Sequence, residues 1–350
     1  MNTMADNVME AKAGATVENT TETKTNIEPQ TAASLPGIHH VTAIASDPQQ
    51  NVDFYTDVLG LRLVKVTINY DDPGSYHFYY GDEAGNPGSI LTFFAWPGGH
   101  QGRRGTAQAT TTSFSVPEDS LGYWQRRFAE RSVRSEAPIS RWDEKSLTFY
   151  DPDGLQLELV AHRDAAAKTG WARSAVPAES GIRGFHSVTL TLKSLSRTAA
   201  LLTDTMGFWL VQEAQDRFRY AAQGSGGARV VDVLVQPNTP QGAVAVGTVH
   251  HVAWRTPTDS QQQQWLTRLS QERYQVSQVM DRQYFHSIYF REPGGVLFEI
   301  ATDTPGFATD ETLSHLGTRL QLPDWLEKHR PEIEVALPPL RYPKTQETQK

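Results

Sequence analysis

The chain contains no cysteine among its 350 residues. This absence excludes disulfide bonds, zinc–thiolate sites and catalysis by a thiol nucleophile. Lys and Arg number 32 against 40 Asp and Glu, which gives a net charge of −8, and the basic residues are scattered. A nucleic-acid-binding protein needs a basic face, and no apolar run approaches the length of a membrane span. We therefore expect a soluble, cytoplasmic protein that has neither nucleic acid nor membrane as a partner.

The beginning of the chain lacks a run of apolar residues. Residues 1–35 are rich in Thr, Asn, Glu and Ala, and they carry neither the apolar stretch nor the cleavage pattern of a secretory signal. We expect this segment to be a disordered tail. Hydrophobic residues make up 38% of the whole chain, which is enough for a buried core in the remainder.

The rest of the sequence repeats itself. The stretch GIHHVTAIASDPQQNVDFYTDVLGLRLV from Gly37 aligns without a gap with GFHSVTLTLKSLSRTAALLTDTMGFWLV from Gly184. A third opening of this kind, GTVHHVAWRTPTDSQQQQWLTRL, begins at Gly247. Each opening reads as a short strand followed by an amphipathic helix. In the first two, Gly60 and Gly207 end the helix.

Two turns repeat as well. DPDGLQLELV begins at Asp151 and EPGGVLFEI at Glu292, and each has a glutamate seven residues later, Glu158 or Glu299, in an apolar strand. A helix backing a small curved sheet cannot bury its apolar face alone, so such units should pair. We predict an α+β fold of four modules, each one strand, one helix and about three strands, paired into two half-open barrels. The modules span 36–105, 106–165, 184–240 and 247–303, and a C-terminal extension, 304–350, carries a short helix near LPDWLEKH.

Two pairs of adjacent histidines begin the first and last modules: His39 with His40, and His250 with His251. Successive side chains of a strand point to opposite faces. The phase of His39 continues with larger apolar residues, whereas the phase of His40 is smaller and more polar and continues with Thr42. We therefore expect the second histidine of each pair to face a cavity and the first to support it from behind.

Pairing the first and last modules brings His40, His251 and Glu299 together, with Thr92 as a non-ligand at the fourth corner. Two histidines and one carboxylate with open positions suit a non-haem Fe(II) that binds both O2 and a substrate. A single histidine pair would more often be structural, but two pairs at corresponding positions of repeated units favour a metal site.

The second and third modules offer a different set of side chains. A Thr-rich strand from Thr110, Ser187, Glu158 and Asp232 occupy the corresponding positions. Because no histidine faces the cavity there, we interpret this half as a degenerate site.

These modules resemble the βαβββ units of the vicinal-oxygen-chelate superfamily, which includes glyoxalase I, fosfomycin resistance proteins and type I extradiol dioxygenases. Over residues 36–325 the chain looks most like the hydroquinone ring-cleaving dioxygenases, which act on dichlorohydroquinone or methylhydroquinone. The stretches that carry the resemblance are HHVT, FYTDVLGLRLVK, YHFYYGDEAGNPGS, GFHS, VHHVAW, DRQYFHSIYFREPGGVLFE and GFATDE.

The resemblance implies Fe(II), with Mn(II) as the alternative, bound by His40, His251 and Glu299 in a site shared by the first and fourth modules. It implies a reaction in which O2 is inserted into a small aromatic diol. A catalytic role is predicted for Tyr289, Arg282, His39 and His250, and a substrate-binding role for Thr42 and Thr92. His286 is a weaker candidate, because the family pattern does not include it.

Two other functions stay open at this point. A glyoxalase-like isomerase or thiol transferase would use Ni, Zn or Mn, and commonly has a fourth protein ligand where Thr92 stands. A metal-free protein that sequesters an aromatic drug would lack the histidine and glutamate set. The sequence leaves open the ring substituents, the preference for hydroquinone or catechol, and whether the chain forms a homo-oligomer.

Overall fold

The computed structural model describes residues 34–224 and 227–343. The predicted disordered tail, 1–35, lies outside these residues except for its last two, of which Leu35 is buried. Within the described ranges, no helix is long and apolar enough to cross a membrane.

Four modules follow one another, each with one strand, one helix and three further strands. The first has β1 (Ile38–Ala45), α1 (Pro48–Asp53), β2 (Arg62–Asn69), β3 (Asp72–Gly81) and β4 (Ile90–Ala95). The second has β5 (Gln108–Pro117), α2 (Leu121–Glu130), β6 (Ile139–Arg141), β7 (Glu144–Tyr150) and β8 (Gln156–His162). The third has β9 (Phe185–Leu192), α3 (Ser196–Ala200), β10 (Trp209–Ala214), β11 (Arg217–Ala221) and β12 (Val230–Val235). The fourth has β13 (Val249–Thr256), α4 (Asp259–Gln271), β14 (Met280–Asp281), β15 (Phe285–Arg291) and β16 (Leu297–Pro305). The predicted fold class is confirmed.

Local sequence explains where the helices begin and end. The Asp47 side chain accepts a hydrogen bond from the Gln50 amide, and Pro48 stands in the first turn of α1, both of which favour a helix start. A π-turn, Phe54–Val58, continues α1. Gly60, at a φ of +69°, then ends the helical run, as predicted.

The strands form two eight-stranded sheets, and each sheet combines two modules. One has the order β14-β15-β16-β13-β1-β4-β3-β2 and the other β10-β11-β12-β9-β5-β8-β7-β6. At the centre of the first sheet β1 pairs antiparallel with β13, and each of these strands has a parallel neighbour on its other side, β4 and β16. The predicted pairing of the first module with the fourth is confirmed.

The C-terminal extension packs on the edge of the first sheet. It contains α5 (Asp324–Glu327) and α6 (Arg330–Ala336), and the first of these is the short helix predicted from the sequence. Leu320 bridges to Val66 of β2. The fully buried Lys65 ammonium forms ion pairs with Asp310 and Glu311 of this extension. The extension therefore covers the outer edge of β2, which would otherwise be unpaired.

Buried acidic groups of the repeated turns join the two sheets. The Tyr55 hydroxyl, next to α1, donates a hydrogen bond of 3.0 Å to Asp151 in the turn before β8. In the other half of the chain, the Thr198 hydroxyl on α3 donates one of 2.6 Å to Glu292 before β16. Each bond links a helix of one sheet to a turn of the other.

We expect the Asp151 carboxyl to make the stability of the fold depend on pH. Burial raises the pKa of Asp151 to about 7, whereas the pKa of an unfolded aspartate is about 3.9. Between these values the native state binds the extra proton, so stability present at low pH is lost as the pH rises. Urea titrations at pH 5 and 7.5 give the change in the free energy of unfolding over this range. This change should be more negative by a few kcal/mol in the wild type than in Asp151→Asn, because only the wild type has the Asp151 carboxyl that loses its proton. An Asp164→Asn control, at an exposed position, should behave as the wild type. The same change in the free energy of unfolding between the two pH values in all three proteins would contradict the prediction.

Candidate metal centre

Three buried side chains converge at the centre of the first sheet. His40 lies on β1, His251 on β13 and Glu299 on β16. Ala253 of β13 is the register partner of both His40 and Glu299, on its two neighbouring strands. The two Nε2 atoms are 3.4 Å apart, and they lie 3.3 Å (His40) and 2.9 Å (His251) from Oε2 of Glu299. Among the described residues this is the one group of three His, Asp or Glu side chains close enough to hold a metal ion.

The Glu299 carboxylate has one satisfied oxygen and one unsatisfied oxygen. Oε1 accepts a hydrogen bond from the Ser287 hydroxyl, whereas the buried Oε2 makes no hydrogen bond. Burial alone would raise the pKa of Glu299, but the two neighbouring imidazoles hold that pKa well below its usual value. Burial also lowers the pKa of His251. An ionised carboxylate and a neutral imidazole are the forms that coordinate metals, and the unpaired Oε2 fits a cation held between these three atoms.

The first histidine of each pair supports the second through its Nδ1 atom. His39 Nδ1 lies 2.9 Å from His40 Nδ1, and His250 Nδ1 lies 2.8 Å from His251 Nδ1. Burial lowers the pKa of His39 well below its usual value and that of His250 to about 3, so both rings are neutral. A histidine that offers the Nε2 lone pair to a metal keeps its proton on Nδ1. In that tautomer His40 and His251 donate the Nδ1 proton to the neighbouring Nδ1, which fixes the orientation of the ring.

The expectation that adjacent histidines point to opposite faces is wrong at both pairs. The register of β1 on β13 shifts between Ile38 and His40, so His39 is an extra residue. A second shift, between the pairs Thr42 with His251 and Ala43 with Val249, makes His250 an extra residue. A β-bulge of this kind re-aims a side chain, and here it brings the two rings of each pair into contact.

Thr92 stands at the position that corresponds to Glu299, as predicted. It is the register partner of Thr42 across β1 and β4, as Glu299 is of Ala253 across β13 and β16. Its hydroxyl donates a hydrogen bond of 2.9 Å to Thr42 and lies 2.9 Å from Nε2 of His77. A threonine hydroxyl is uncharged, and both contacts engage this one. The fourth corner therefore offers no carboxylate ligand.

The two candidate ligand imidazoles open onto a cavity with aromatic walls. Tyr289 is the register partner of Glu299, and its ring meets His251 edge to face at 5.7 Å between ring centroids. Arg282 donates a hydrogen bond of 3.3 Å from Nε to the Tyr289 hydroxyl and forms an ion pair of 3.2 Å with Asp71 at the mouth. The lining residues are His40, Thr42, Asn69, Tyr70, Asp71, His77, Tyr79, Phe94, His251, Arg282, Phe285 and Tyr289.

Several of these residues were not predicted from the sequence, and one predicted candidate, His286, lies elsewhere. His77 and Tyr79 of β3 line the cavity. The strand alternation of YHFYY, which puts these two residues on one face, was the signal that could have found them. His286 does not line the cavity. Its Nδ1 lies 2.6 Å from the Asp259 carboxylate on α4.

The second sheet fills its corresponding positions with ion pairs. Glu158 is neutralised by Arg141 at 3.0 Å. Asp232 is neutralised by Arg219 at 2.8 Å and Arg217 at 2.9 Å. Ser187 and the Thr-rich strand β5 complete the site, and its residues do not form a metal-holding group within the described part of the chain.

The sequence is similar to those of ring-cleaving dioxygenases. A ring-cleaving dioxygenase by name, MhqO of Bacillus subtilis (strain 168), is 45% identical to this chain over 308 residues, which are 88% of this chain and 97% of that protein. The chlorohydroquinone/hydroquinone 1,2-dioxygenase of Sphingobium indicum is 34% identical over 307 residues, covering 85% and 95% of the two chains.

Solved structures extend the comparison to the fold. A crystal structure of a Bacillus subtilis protein named as a dioxygenase superposes with a TM-score of 0.85 at 43% identity, covering 89% of this chain and 99% of that one. Glyoxalase I of Zea mays shares the fold, with a TM-score of 0.59 at 13% identity over 77% and 92% of the chains. The profile of one family matches residues 37–159 and 184–300. The chain therefore belongs to the Glyoxalase/Bleomycin resistance protein/Dioxygenase superfamily.

Proposed function

We propose that this protein is an Fe(II)-dependent dioxygenase that cleaves the ring of a substituted hydroquinone. One observation carries the proposal: the Nε2 atoms of His40 and His251 meet an unpaired carboxylate oxygen of Glu299 at the base of a cavity with aromatic walls. Two histidines and one carboxylate leave positions open for O2 and a substrate oxygen. The names of the relatives MhqO and chlorohydroquinone/hydroquinone 1,2-dioxygenase support the same reaction class.

His40, His251 and Glu299 would hold the iron, with Mn(II) as the alternative metal. When bound, the metal supplies Lewis acidity that favours an ionised diol oxygen, together with the redox chemistry that O2 requires. The overall reaction inserts both atoms of O2 into the diol and needs no external reductant. Thr92 stands where a fourth protein ligand would close the site, and its uncharged side chain favours a dioxygenase over a metal-dependent isomerase.

The chain's own residues orient the diol and control its protons. Phe285 and Phe94 contribute apolar faces that hold the ring and exclude water. Burial raises the pKa of Tyr289, so its hydroxyl stays protonated and can donate to a substrate oxygen. The Arg282 guanidinium, which already contacts that hydroxyl, stabilises negative charge that develops on the ring oxygen.

The first experiment is O2 uptake after anaerobic loading with Fe(II), with methylhydroquinone and catechol as substrates. The wild type should consume O2 with the hydroquinone. His40→Ala should lose at least about 100-fold of this rate together with its bound iron, because a two-ligand site holds iron poorly. His286→Ala is the matched control, since its ring pairs with Asp259 outside the cavity, and it should keep the wild-type rate. No uptake with either diol by a fully metal-loaded wild type would overturn the proposal and favour the isomerase.

A second prediction concerns the residue that holds the carboxylate. Ser287→Ala removes the hydrogen bond to Oε1 of Glu299, so the carboxylate loses its fixed orientation and we expect metal affinity to fall about tenfold. Competition between the protein and a chelator for Fe(II), measured anaerobically, gives this affinity directly. Ser314→Ala, at an exposed position, should bind as the wild type does. Unchanged affinity in Ser287→Ala would show that this contact does not support a ligand.

A further inference from the structure

A chain of four hydrogen-bonding groups runs along one wall of the cavity. The Tyr79 hydroxyl lies 3.0 Å from Nδ1 of His77. Nε2 of His77 lies 2.9 Å from Oγ1 of Thr92, and the Thr92 hydroxyl donates to Oγ1 of Thr42 at 2.9 Å. Tyr79, Thr92 and Thr42 are buried. The chain crosses three neighbouring strands, β3, β4 and β1.

The direction of every bond in this chain follows from the count of protons. A threonine hydroxyl has one proton, and Thr92 uses it toward Thr42, so His77 must be the donor in its contact with Thr92. Burial lowers the pKa of His77 well below its usual value, and a neutral ring with its proton on Nε2 accepts at Nδ1, where the Tyr79 hydroxyl donates. All donors therefore point from Tyr79 toward Thr42.

The Thr42 hydroxyl proton, the last of this hydrogen-bond chain, has no acceptor among the described residues. Oγ1 of Thr42 accepts from Thr92, and no group among the described residues accepts the Thr42 proton in turn. Thr42 lines the cavity, two residues from His40 on the same strand and opposite His251 in register. Its free O–H is therefore a donor beside the two imidazoles that open onto the cavity.

The fourth module uses the corresponding position in another way. Tyr289 pairs with Glu299 as Tyr79 pairs with Thr92, so Ser287 of β15 corresponds to His77 of β3. Ser287 donates to Glu299, a candidate metal ligand. His77 donates instead to Thr92, which is not a ligand and passes the bond to Thr42. The same place in the sheet thus supports a ligand in one module and a donor in the other.

We propose that His77 is a positioning residue that acts through Thr92 to hold the Thr42 hydroxyl so that it donates to an oxygen of the bound diol. This inference rests on the proposed function, because the acceptor is a phenolic oxygen of the substrate. Fixing the hydroxyl before the diol binds reduces the entropy lost on binding. It also selects rings that carry an oxygen at this position.

A structural role is the competing explanation. The His77 ring packs between Tyr79, at 4.2 Å between centroids, and Phe94, at 4.5 Å. Substitution could therefore disturb the wall of the cavity without any involvement of Thr42. A variant that keeps the ring but removes the hydrogen bonds, and a test of coupling to Thr42, separate the two explanations.

The experiment is a double-mutant cycle on anaerobic binding of methylhydroquinone to the Zn(II)-loaded protein, measured by calorimetry. His77→Phe keeps an aromatic ring and should raise Kd roughly tenfold, the worth of one hydrogen bond to such an oxygen. His77→Gln keeps a donor and an acceptor and should recover most of the affinity. Thr42→Val should lose as much as His77→Phe, and the double variant should be no weaker than Thr42→Val alone. Thr189→Val, at the corresponding position of β9, should bind as the wild type does.

Independent, multiplicative effects of His77→Phe and Thr42→Val would overturn the inference, because a structural defect would persist when the hydroxyl is absent. Nitrogen NMR of the wild type gives a second readout, in which His77 should carry its proton on Nε2. A proton on Nδ1 would reverse the chain and contradict the proposal. Coupled binding losses in a protein that consumes no O2 would support the role of His77 and reject the dioxygenase. Uncoupled losses in a protein that consumes O2 would support the dioxygenase and reject the role of His77. A wild type that binds no diol would reject both proposals.

Discussion

The antiparallel pairing of β1 with β13 is the contact on which the candidate site depends. It joins strands of the first and fourth modules and brings Nε2 of His40 within 3.4 Å of Nε2 of His251. The parallel pairing of β16 with β13 then sets Glu299 beside them. Because side chains alternate along a strand, a slip of one residue in this register would turn a ligand to the other face. The chemistry of the site is thus a consequence of strand register rather than of any local motif.

Much of the fold and the grouping of His40, His251 and Glu299 could be predicted because both follow from patterns that recur along the sequence. Repeated openings and turns reveal the modules, and the period of two along a strand identifies which positions share a face. The correspondence of His40 with His251 and of Thr92 with Glu299 follows once the repeats are aligned. The repeats together are more informative than any single stretch, because one histidine pair alone indicates little.

Features that depend on irregular backbone or distant contacts could not be predicted. No sequence pattern predicts the bulges at His39 and His250. At each bulge the side chains of two adjacent histidines do not alternate between faces, and their rings are in direct contact. The partner of Arg282 is Asp71, in the hairpin between β2 and β3, and only the folded sheet brings them together. The role of His77 depends on hydrogen bonds across three strands, and its own sequence neighbours give no sign of them.

The two half-barrels solve the same electrostatic problem in different ways. A buried carboxylate is costly unless a cation or several donors compensate it. In the second sheet the chain itself supplies the cation, because arginines pair with Glu158 and Asp232. In the first sheet no Lys or Arg of the described residues pairs with Glu299, whose carboxylate meets the Ser287 hydroxyl and two imidazoles. Because no guanidinium compensates the negative charge of Glu299, a metal ion bound there would supply the positive charge. The repeated architecture therefore explains both why one half keeps a site and why the other can do without it.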